Sequence, residues 1–402
     1  MERSREIEGQ HTATATSDGV LLSQDSEQQP TLSIVMPTLN EEQGIETCIR
    51  KAKRALHDLG ISGEVIVSDS STDRTPQIAR EMGAIVVEPD KTGYGYAYRY
   101  GFESARGEYI AMGDADATYD FEELPKLLDL IEDGADIAIG NRLGGELKPG
   151  SMPKLHQYIG NPLLTWFLNV FYDAGVSDAH SGMRVLTRDA LDQLRLESDG
   201  MEFASEMIMS ASVAGLDIRE VPITYHERIG EATLDSFHDG WRHVRFMLTN
   251  APGYLFSGSG FALILVGMTI LGLTFTNALS AWVELGARTV IVGCLFTLVG
   301  VQVVYLGVFA TIAGDPIQDT ASVWNGWVRQ HLKLEHGILI GTIIFLLGTG
   351  YAVASLYQWV QSGFTSLPFL ISDIVAFTAI VLGVQTIFQS FFLSLIGSQS
   401  SR

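Results

Sequence analysis

Two aspartates two residues apart, Asp114 and Asp116, mark the stretch of this 402-residue chain best prepared for chemistry. They follow the apolar run Tyr109-Ile110-Ala111-Met112 and precede Phe121-Glu122-Glu123-Leu124, where a helical pattern starts. A strand therefore ends just before them, and α/β sheets bind ligands at the carboxyl ends of strands. Once the chain leaves the extended state, both carboxylates can turn toward one cation. Such hard oxygen donors suit Mg2+ or Mn2+, which in turn hold phosphate oxygens. Taken alone, the same pair also fits a solvated acidic turn.

The elements that must position this pair read as alternating strands and helices. Residues 32–36 form a buried-strand pattern stopped by Pro37, and Asn40 is placed to cap a helix starting at Glu41 and running to about residue 59. A second strand spans 64–68. The turn Asp69-Ser70-Ser71-Thr72-Asp73 follows it, then a helix through Gln77 to Met82. A third strand covers 84–87. Lys91-Thr92-Gly93-Tyr94-Gly95 leads into a helix with Ala97, Tyr98, Gly101 and Ala105 on one face. Strands follow at 109–112, 137–140 and 218–225, the last with Pro222 marking an edge or bend. This alternation predicts an α/β fold, a mainly parallel sheet with helices on both faces. The turns after its strands converge on one rim that carries Asp69, Asp73, Asp114 and Asp116.

Composition divides the chain. Residues 251–402 hold five acidic and four basic groups, leaving 42 acidic and 22 basic before them, so the net charge of −21 lies almost wholly in the first part. That charge argues against a nucleic-acid partner, which requires a basic face. It keeps a protein soluble and is compatible with a salt-rich cytoplasm, hence with a halophilic source. Cys48 and Cys294 have no metal-type spacing and read as packing residues. Residues 1–30 are polar and read as a disordered tail; their longest apolar run, Val20-Leu21-Leu22, is too short for a secretory signal core. The catalytic-type domain is placed at 31–235 and an amphipathic juxtamembrane helix at 236–252, with Phe237, Trp241, Val244 and Leu248 beside Arg242, His243 and Arg245. The stretch 158–172 is unusually apolar for a soluble helix, which leaves a core helix and a lipid-touching helix both open.

Within 253–402, four apolar stretches at about 254–279, 290–313, 338–359 and 374–396 each reach the ~20 residues that span a bilayer. Arg242 and Arg245 precede the first, Arg329 and Lys333 separate the second from the third, and Arg402 follows the fourth; Arg288 alone falls in a loop on the other side. The excess of positive charge predicts a multi-pass protein of the cell membrane with the large domain and both termini in the cytoplasm. Trp282, Trp324, Trp327 and Trp359 fall near the predicted interfaces.

Several chemistries lack their residues. No Ser/His or Cys/His nucleophile set is apparent, no Gly-x-x-x-x-Gly-Lys-Ser/Thr loop occurs, and no Gly-x-Gly-x-x-Gly follows the first strand. A metal-assisted reaction on a nucleotide-linked substrate remains, with the cation neutralising a departing diphosphate.

The ordered motifs Val35-Met36-Pro37-Thr38-Leu39-Asn40-Glu41, Asp69-Ser70-Ser71-Thr72-Asp73-Arg74-Thr75, Lys91-Thr92-Gly93-Tyr94-Gly95-Tyr96-Ala97 and Asp114-Ala115-Asp116 resemble the family-2 inverting glycosyltransferases of the GT-A fold. Within that family the chain is similar to the dolichyl-phosphate mannose and glucose synthases. Gly140-Asn141-Arg142, Ser181-Gly182-Met183-Arg184 and Val221-Pro222-Ile223 with Arg228 extend the likeness over about residues 32–250. The resemblance implies transfer of a hexose from a UDP- or GDP-sugar to dolichyl or another polyprenyl phosphate at the lipid bilayer. It implies that Pro37, Asn40, Glu41, Asp69, Lys91, Gly93 and Asp114 bind the nucleotide sugar. Asp114 and Asp116 would hold Mg2+ or Mn2+ with the diphosphate, and Arg142 and Arg184 would hold phosphates, the acceptor's included. Structural alternatives stand beside these roles: Pro37 as a strand end, Asn40 as a cap, the arginines as salt-bridge partners.

Three departures bear on the sugar and the phosphate contacts. Ser68-Asp69-Ser70 stands where the family often has Asp-Asp-Gly, Thr118 where mannose synthases commonly have Gln, and Gly230-Glu231-Ala232-Thr233-Leu234 lacks the Lys of Gly-x-Ser-Lys-Leu. A polysaccharide synthase on the same fold would carry Gln-x-x-Arg-Trp, and no Arg-Trp dipeptide occurs. A non-catalytic membrane scaffold would not need Asp114 and Asp116, and a nucleotidyltransferase would not need four spans.

Overall fold

A computed structural model describes residues 21–230, 242, 245–246, 250, 252–276, 286–313, 334–365 and 371–399. The chain forms two compact units, Met1–Arg245 and Phe246–Arg402. The first carries a seven-stranded sheet in the order β3-β2-β1-β4-β6-β5-β7. Its strands are β1 (Leu32–Thr38), β2 (Gly63–Asp69), β3 (Ile85–Val87), β4 (Tyr109–Met112), β5 (Ile137–Asn141), β6 (Arg184–Thr187) and β7 (Ile218–Pro222). β1 runs parallel to both β2 and β4, β2 to β3, and β5 to β7. Only β6, wedged between β4 and β5, is antiparallel to its neighbours. This is the mostly parallel sheet that the alternating pattern predicts, and it is GT-A-like, as the resemblance implies.

β6 was not among the expected strands. Arg184-Val185-Leu186-Thr187 is short and opens on a charged residue, so only the tertiary environment makes it a buried strand. It joins the two parallel halves of the sheet. Pro37 does not end β1 either: the strand continues to Thr38, pairing Pro37 with Ser68 and Thr38 with Asp69 on β2. Pairing with β4 stops at Val35–Met112, so the missing N–H of Pro37 faces no ladder partner on that side.

Helices cover the sheet: α1 (Ile45–Leu59), α2 (Thr75–Glu81), α3 (Tyr94–Ser104), α4 (Leu124–Glu132), α5 (Asn161–Tyr172), α6 (Arg188–Gln193) and α7 (Phe203–Ala214). α1 buries Ile45, Cys48, Ile49, Ala52, Ala55 and Leu56, a stripe at helical spacing, against Ile34, Met36, Val65 and Val67 of the sheet. Helix α1 starts four residues later than expected, and Gly44 rather than Asn40 stands at its N-terminus. Residues 21–30 also depart from the reading as a loose tail. Leu22 is buried, its N–H bonds the Gly63 carbonyl, and the Arg106 guanidinium donates to the carbonyls of Ser23 and Ser26.

The second unit consists, in its described part, of α8 (Pro252–Phe275), α9 (Ala287–Ala313), α10 (Leu334–Gln361) and α11 (Ile371–Gln399). Each contains a candidate membrane span: Phe256–Phe275, Ala287–Ala310, Glu335–Gln361 and Ile371–Leu395. Glycines bring the backbones of α8 and α9 together at Gly260 and Gly300, and those of α10 and α11 at Gly341 and Gly383. That is how helices associate in lipid, where apolar burial alone supplies no attraction. Large apolar side chains such as Leu265, Leu347 and Phe388 point outward. Apart from Arg242, Arg245 and Phe246, the amphipathic segment read at 236–248 lies outside the described residues. So do residues 1–20, Glu231 to Leu234, Trp282, Trp324 and Trp327.

Candidate active site

The carboxyl ends of β1, β2 and β4 place the expected rim residues side by side. At the end of β2, Asp69 accepts hydrogen bonds on Oδ1 from Thr38 Oγ1 at 2.7 Å and from Ser71 Oγ at 2.6 Å. Asn40, just beyond β1, takes a positive φ of 58°. Short polar residues tolerate that region best. Its Oδ1 accepts from the Thr72 N–H at 2.9 Å, and its own N–H donates to Ser71 Oγ at 2.7 Å. Asn40 therefore ties the β1 loop to the β2 loop instead of capping a helix.

Asp114 and Asp116 follow β4 as the spacing predicts. Asp114 Oδ1 accepts from the hydroxyls of Tyr94, at 3.0 Å, and Tyr98, at 3.3 Å, both on α3. These tyrosines pack edge to face with centroids 5.1 Å apart, and Tyr98 stacks on Phe203 of α7. Gly93 makes this possible: its φ is 153°, and a Cβ there would collide with the Asp199 carbonyl oxygen. Tyr94 and Tyr98 are site residues that the sequence reading missed; they are ordinary helix residues until the fold turns both hydroxyls onto one carboxylate. The other oxygen of Asp114, Oδ2, lies beside Gly182, where a Cβ would come within 3.0 Å of it. Burial, and then the neighbouring Asp116 carboxylate, push Asp114 above the ordinary carboxyl range, while the two phenols pull it back.

Asp116 Oδ1 accepts from the N–H and hydroxyl of Thr118, at 3.0 and 2.6 Å. Its Oδ2 faces Arg228 Nη1 at 3.4 Å, and Arg228 also forms an ion pair with Glu41. The segment bearing Arg228 is stitched over the aspartate loop: the Ile229 N–H donates to the Asp116 carbonyl, and the His226 N–H to the Thr118 carbonyl. Burial raises Glu41 to about 7; Arg228 opposes the shift, and Asp116, Asp114 and Asp73 add to it. Among the described residues no cluster of three or more His, Cys, Asp or Glu side chains could hold a metal alone. Two hard carboxylates fit a cation whose remaining places are filled by phosphate oxygens and water.

The two arginines, given phosphates to hold by the resemblance and salt-bridge partners by the alternative reading, are both buried. Arg184 is wholly buried in β6. Its Nε donates to the Ser181 carbonyl at 2.9 Å, and its Nη2 to the carbonyls of Ala179 at 2.8 Å and Ala204 at 3.1 Å. Arg142 is buried too, with Nε and Nη2 on the two oxygens of Asp178 at 2.8 and 2.7 Å and its guanidinium over the Tyr225 ring. Both are internal braces in this structure: buried cations need such partners, and the folded loop 177–183 supplies them together with the Ala204 carbonyl of α7, while Nη1 of Arg184 has no hydrogen-bond partner among the described residues. Lys91 is exposed, with Nζ over the Tyr96 ring at 5.2 Å, and Pro37 is half-buried at the end of β1. The rim thus brings together Pro37, Asn40, Glu41, Asp69, Asp114 and Asp116, while Arg142 and Arg184 lie within the protein. Cys48 and Cys294 are free and buried.

Residues 33–195 match the glycosyl transferase family 2 model, and residues 315–397 match the glycosyltransferase family 2 C-terminal transmembrane region. The low-salt glycan biosynthesis hexosyltransferase Agl6 of Haloferax volcanii is 56% identical over 383 residues, covering 95% of this chain and 93% of that protein. The dolichyl-phosphate hexose transferase of the same organism is 38% identical over 212 residues, 52% of this chain and 89% of that protein. Among solved structures, a glucosyl-3-phosphoglycerate synthase from Mycobacterium tuberculosis with Mn2+, uridine diphosphate and phosphoglyceric acid matches with a TM-score of 0.44 and 25% identity, over 55% of this chain and 77% of that one. With an acidic rim on a GT-A-like sheet, four helices long and apolar enough to cross a membrane and a relative matched over nearly its whole length, this chain belongs to glycosyl transferase family 2 and is a membrane-bound glycosyltransferase.

Proposed function

We propose that the enzyme moves a hexose from a nucleoside-diphosphate sugar to dolichyl or another polyprenyl phosphate, with inversion at the anomeric carbon. The observation that carries this reading is the pairing of Asp114 and Asp116 at a strand-end rim in a chain with four spans. Four spans tether such a chain to the bilayer that carries lipid-borne acceptors. The names of the two Haloferax volcanii relatives, one a hexosyltransferase and one a dolichyl-phosphate hexose transferase, support it.

A phosphate monoester acceptor is already anionic near neutral pH. Its oxygen attacks the anomeric carbon from the face opposite the leaving nucleoside diphosphate; the new C–O bond forms as the bond to the diphosphate breaks, and the electron pair leaves with the diphosphate. No strong base is required, which agrees with a rim built from carboxylates and phenols. A divalent ion, Mg2+ or Mn2+, held by Asp114 and Asp116 would supply charge neutralisation for the diphosphate. Pro37, Asn40, Glu41 and Asp69 would bind the nucleoside, and Tyr94 and Tyr98 would keep Asp114 aimed. Arg228, on the strap over Asp116, is better placed than Arg142 or Arg184 to meet a phosphate. The catalytic unit and both termini would lie in the cytoplasm, where sugar nucleotides are made.

The test is incubation of membranes with radiolabelled UDP-glucose, GDP-mannose and other sugar nucleotides, followed by chloroform extraction. A lipid product that releases its sugar in mild acid, as a glycosyl monophosphate does, is expected. Label in a water-soluble polymer or on diacylglycerol would overturn the acceptor assignment.

A further inference from the structure

Helix α5 and the π-helical turn that leads into it, His156–Gly160, carry an apolar face that the protein does not cover. Leu155, Tyr158, Ile159, Leu163, Trp166 and Val170 are each between 54% and 69% exposed. Apart from the adjacent pair Tyr158-Ile159, they recur every three or four residues, which lays them along one side of the helix. The opposite side is anchored: Thr165, Leu168 and Tyr172 are buried, and Thr165 Oγ1 accepts from the Ala179 N–H at 3.3 Å.

Charge separates this face from the rest of the surface. The chain has 47 acidic residues, yet none falls between residues 147 and 172, while Lys148, Lys154 and His156 do. An acidic surface is repelled by anionic lipid, whereas an apolar helix with basic flanks and a Trp and a Tyr among its outward residues suits the headgroup boundary. A bilayer is already at hand, because the first span begins at Phe256, close in sequence to the end of the catalytic unit.

We infer that the Leu155–Val170 face of the catalytic unit is a second, non-spanning membrane contact, immersed at the level of the lipid headgroups and upper acyl chains. The buried side of α5 backs the loop that runs from Asp178, the partner of Arg142, to Gly182, beside Asp114. Immersion of the outer side therefore holds that loop, and the acidic rim it adjoins, at the depth where a lipid-borne phosphate lies. The contact rests on the chain being membrane-bound; the depth of the rim matters for the acceptor reading, but the contact does not depend on it.

The test uses the full chain in nanodiscs of phosphatidylcholine and phosphatidylglycerol. Leu163→Cys, Trp166→Cys and Val170→Cys are each labelled with an environment-sensitive fluorophore; Cys48 and Cys294 are buried and give the background, read from the unsubstituted protein. Arg50→Cys, on the exposed side of α1, is the control. Quenching by doxyl-labelled lipid at least threefold stronger than at the control, with shielding from aqueous iodide, is expected at all three positions. Iodide access equal to the control would overturn the inference. So would shielding without lipid quenching, which would signal a contact between copies of the chain. Because no substrate is present, this outcome is independent of which acceptor the enzyme uses. As a second variant, Leu163→Glu/Val170→Glu should leave hydrolysis of the sugar nucleotide unchanged but lower transfer to a bilayer-borne acceptor at least tenfold. Equal loss of both would mean that the face is structural.

Discussion

Replacing Arg184 with lysine distinguishes a phosphate-binding arginine from an internal brace. The side chain is fully buried and makes three hydrogen bonds to the carbonyls of Ser181, Ala179 and Ala204. A lysine ammonium, a single point on a flexible stem, reaches about one of these carbonyls and leaves the others without a donor. Hydrogen bonds to a charged group contribute roughly 1.5–3 kcal/mol each, so loss of two costs about 3 kcal/mol or more. That is a large share of a total stability of about 5–15 kcal/mol. For a unit of this size each kcal/mol moves the melting temperature by about 2–4 °C, so Arg184→Lys should melt about 6–12 °C lower. Differential scanning fluorimetry of the detergent-solubilised chain measures this, and activity at low temperature should retain a near-normal KM for both substrates. A selective rise in the acceptor KM with an unchanged melting temperature would refute the reasoning and restore a direct phosphate role.

Two further outcomes follow from the rim and a third from the charges flanking the spans. Asp116→Asn keeps size but removes a charge from the cation site, and turnover should fall by at least about two orders of magnitude; EDTA should abolish wild-type activity, and full activity in chelator would end the metal assignment. Burial raises Asp114 and takes Glu41 to about 7, so these carboxyls are ionised above neutral pH and take up protons as pH falls. Mn2+ affinity, followed by electron paramagnetic resonance in the presence of UDP, should therefore be highest above pH 7 and weaken on acidification through it, with the ion displacing protons; affinity that is flat through that range would contradict the described burial. For orientation, a cysteine probe at Leu285 should react from outside intact cells and one at Gln330 should not; the reverse pattern would put the catalytic unit outside the cytoplasm.

Much of the architecture was legible in one dimension because it rests on periodicity. Alternating apolar runs marked β1 to β5, the four spans reached bilayer length, and the two aspartates followed β4 as the end of Tyr109–Met112 predicts. Local pattern was silent where long-range contact decides. β6 is four residues long and becomes a strand because β4 and β5 flank it. Asn40 has the composition of a helix cap, yet its positive φ and its bonds to the β2 loop depend on residues more than thirty positions away.

Side-chain roles divide along the same line. Residue type and spacing put Asp69, Asp114 and Asp116 on the rim, because each closely follows the apolar run of a strand. Tyr94 and Tyr98 became partners of Asp114 only when α3 packed its aromatic face against Phe203. The resemblance implies that Arg142 and Arg184 hold phosphates, with salt-bridge partnership as the alternative; in the structure Asp178 pairs with Arg142, and three backbone carbonyls take Nε and Nη2 of Arg184. The sequence by itself determined β1 to β5, the four spans and which carboxylates meet at the rim, since these follow from repeating pattern and residue chemistry. Which cations face outward, and which hold the interior together, was decided by tertiary structure, because a buried charge takes whichever partners the folded chain brings within hydrogen-bonding distance.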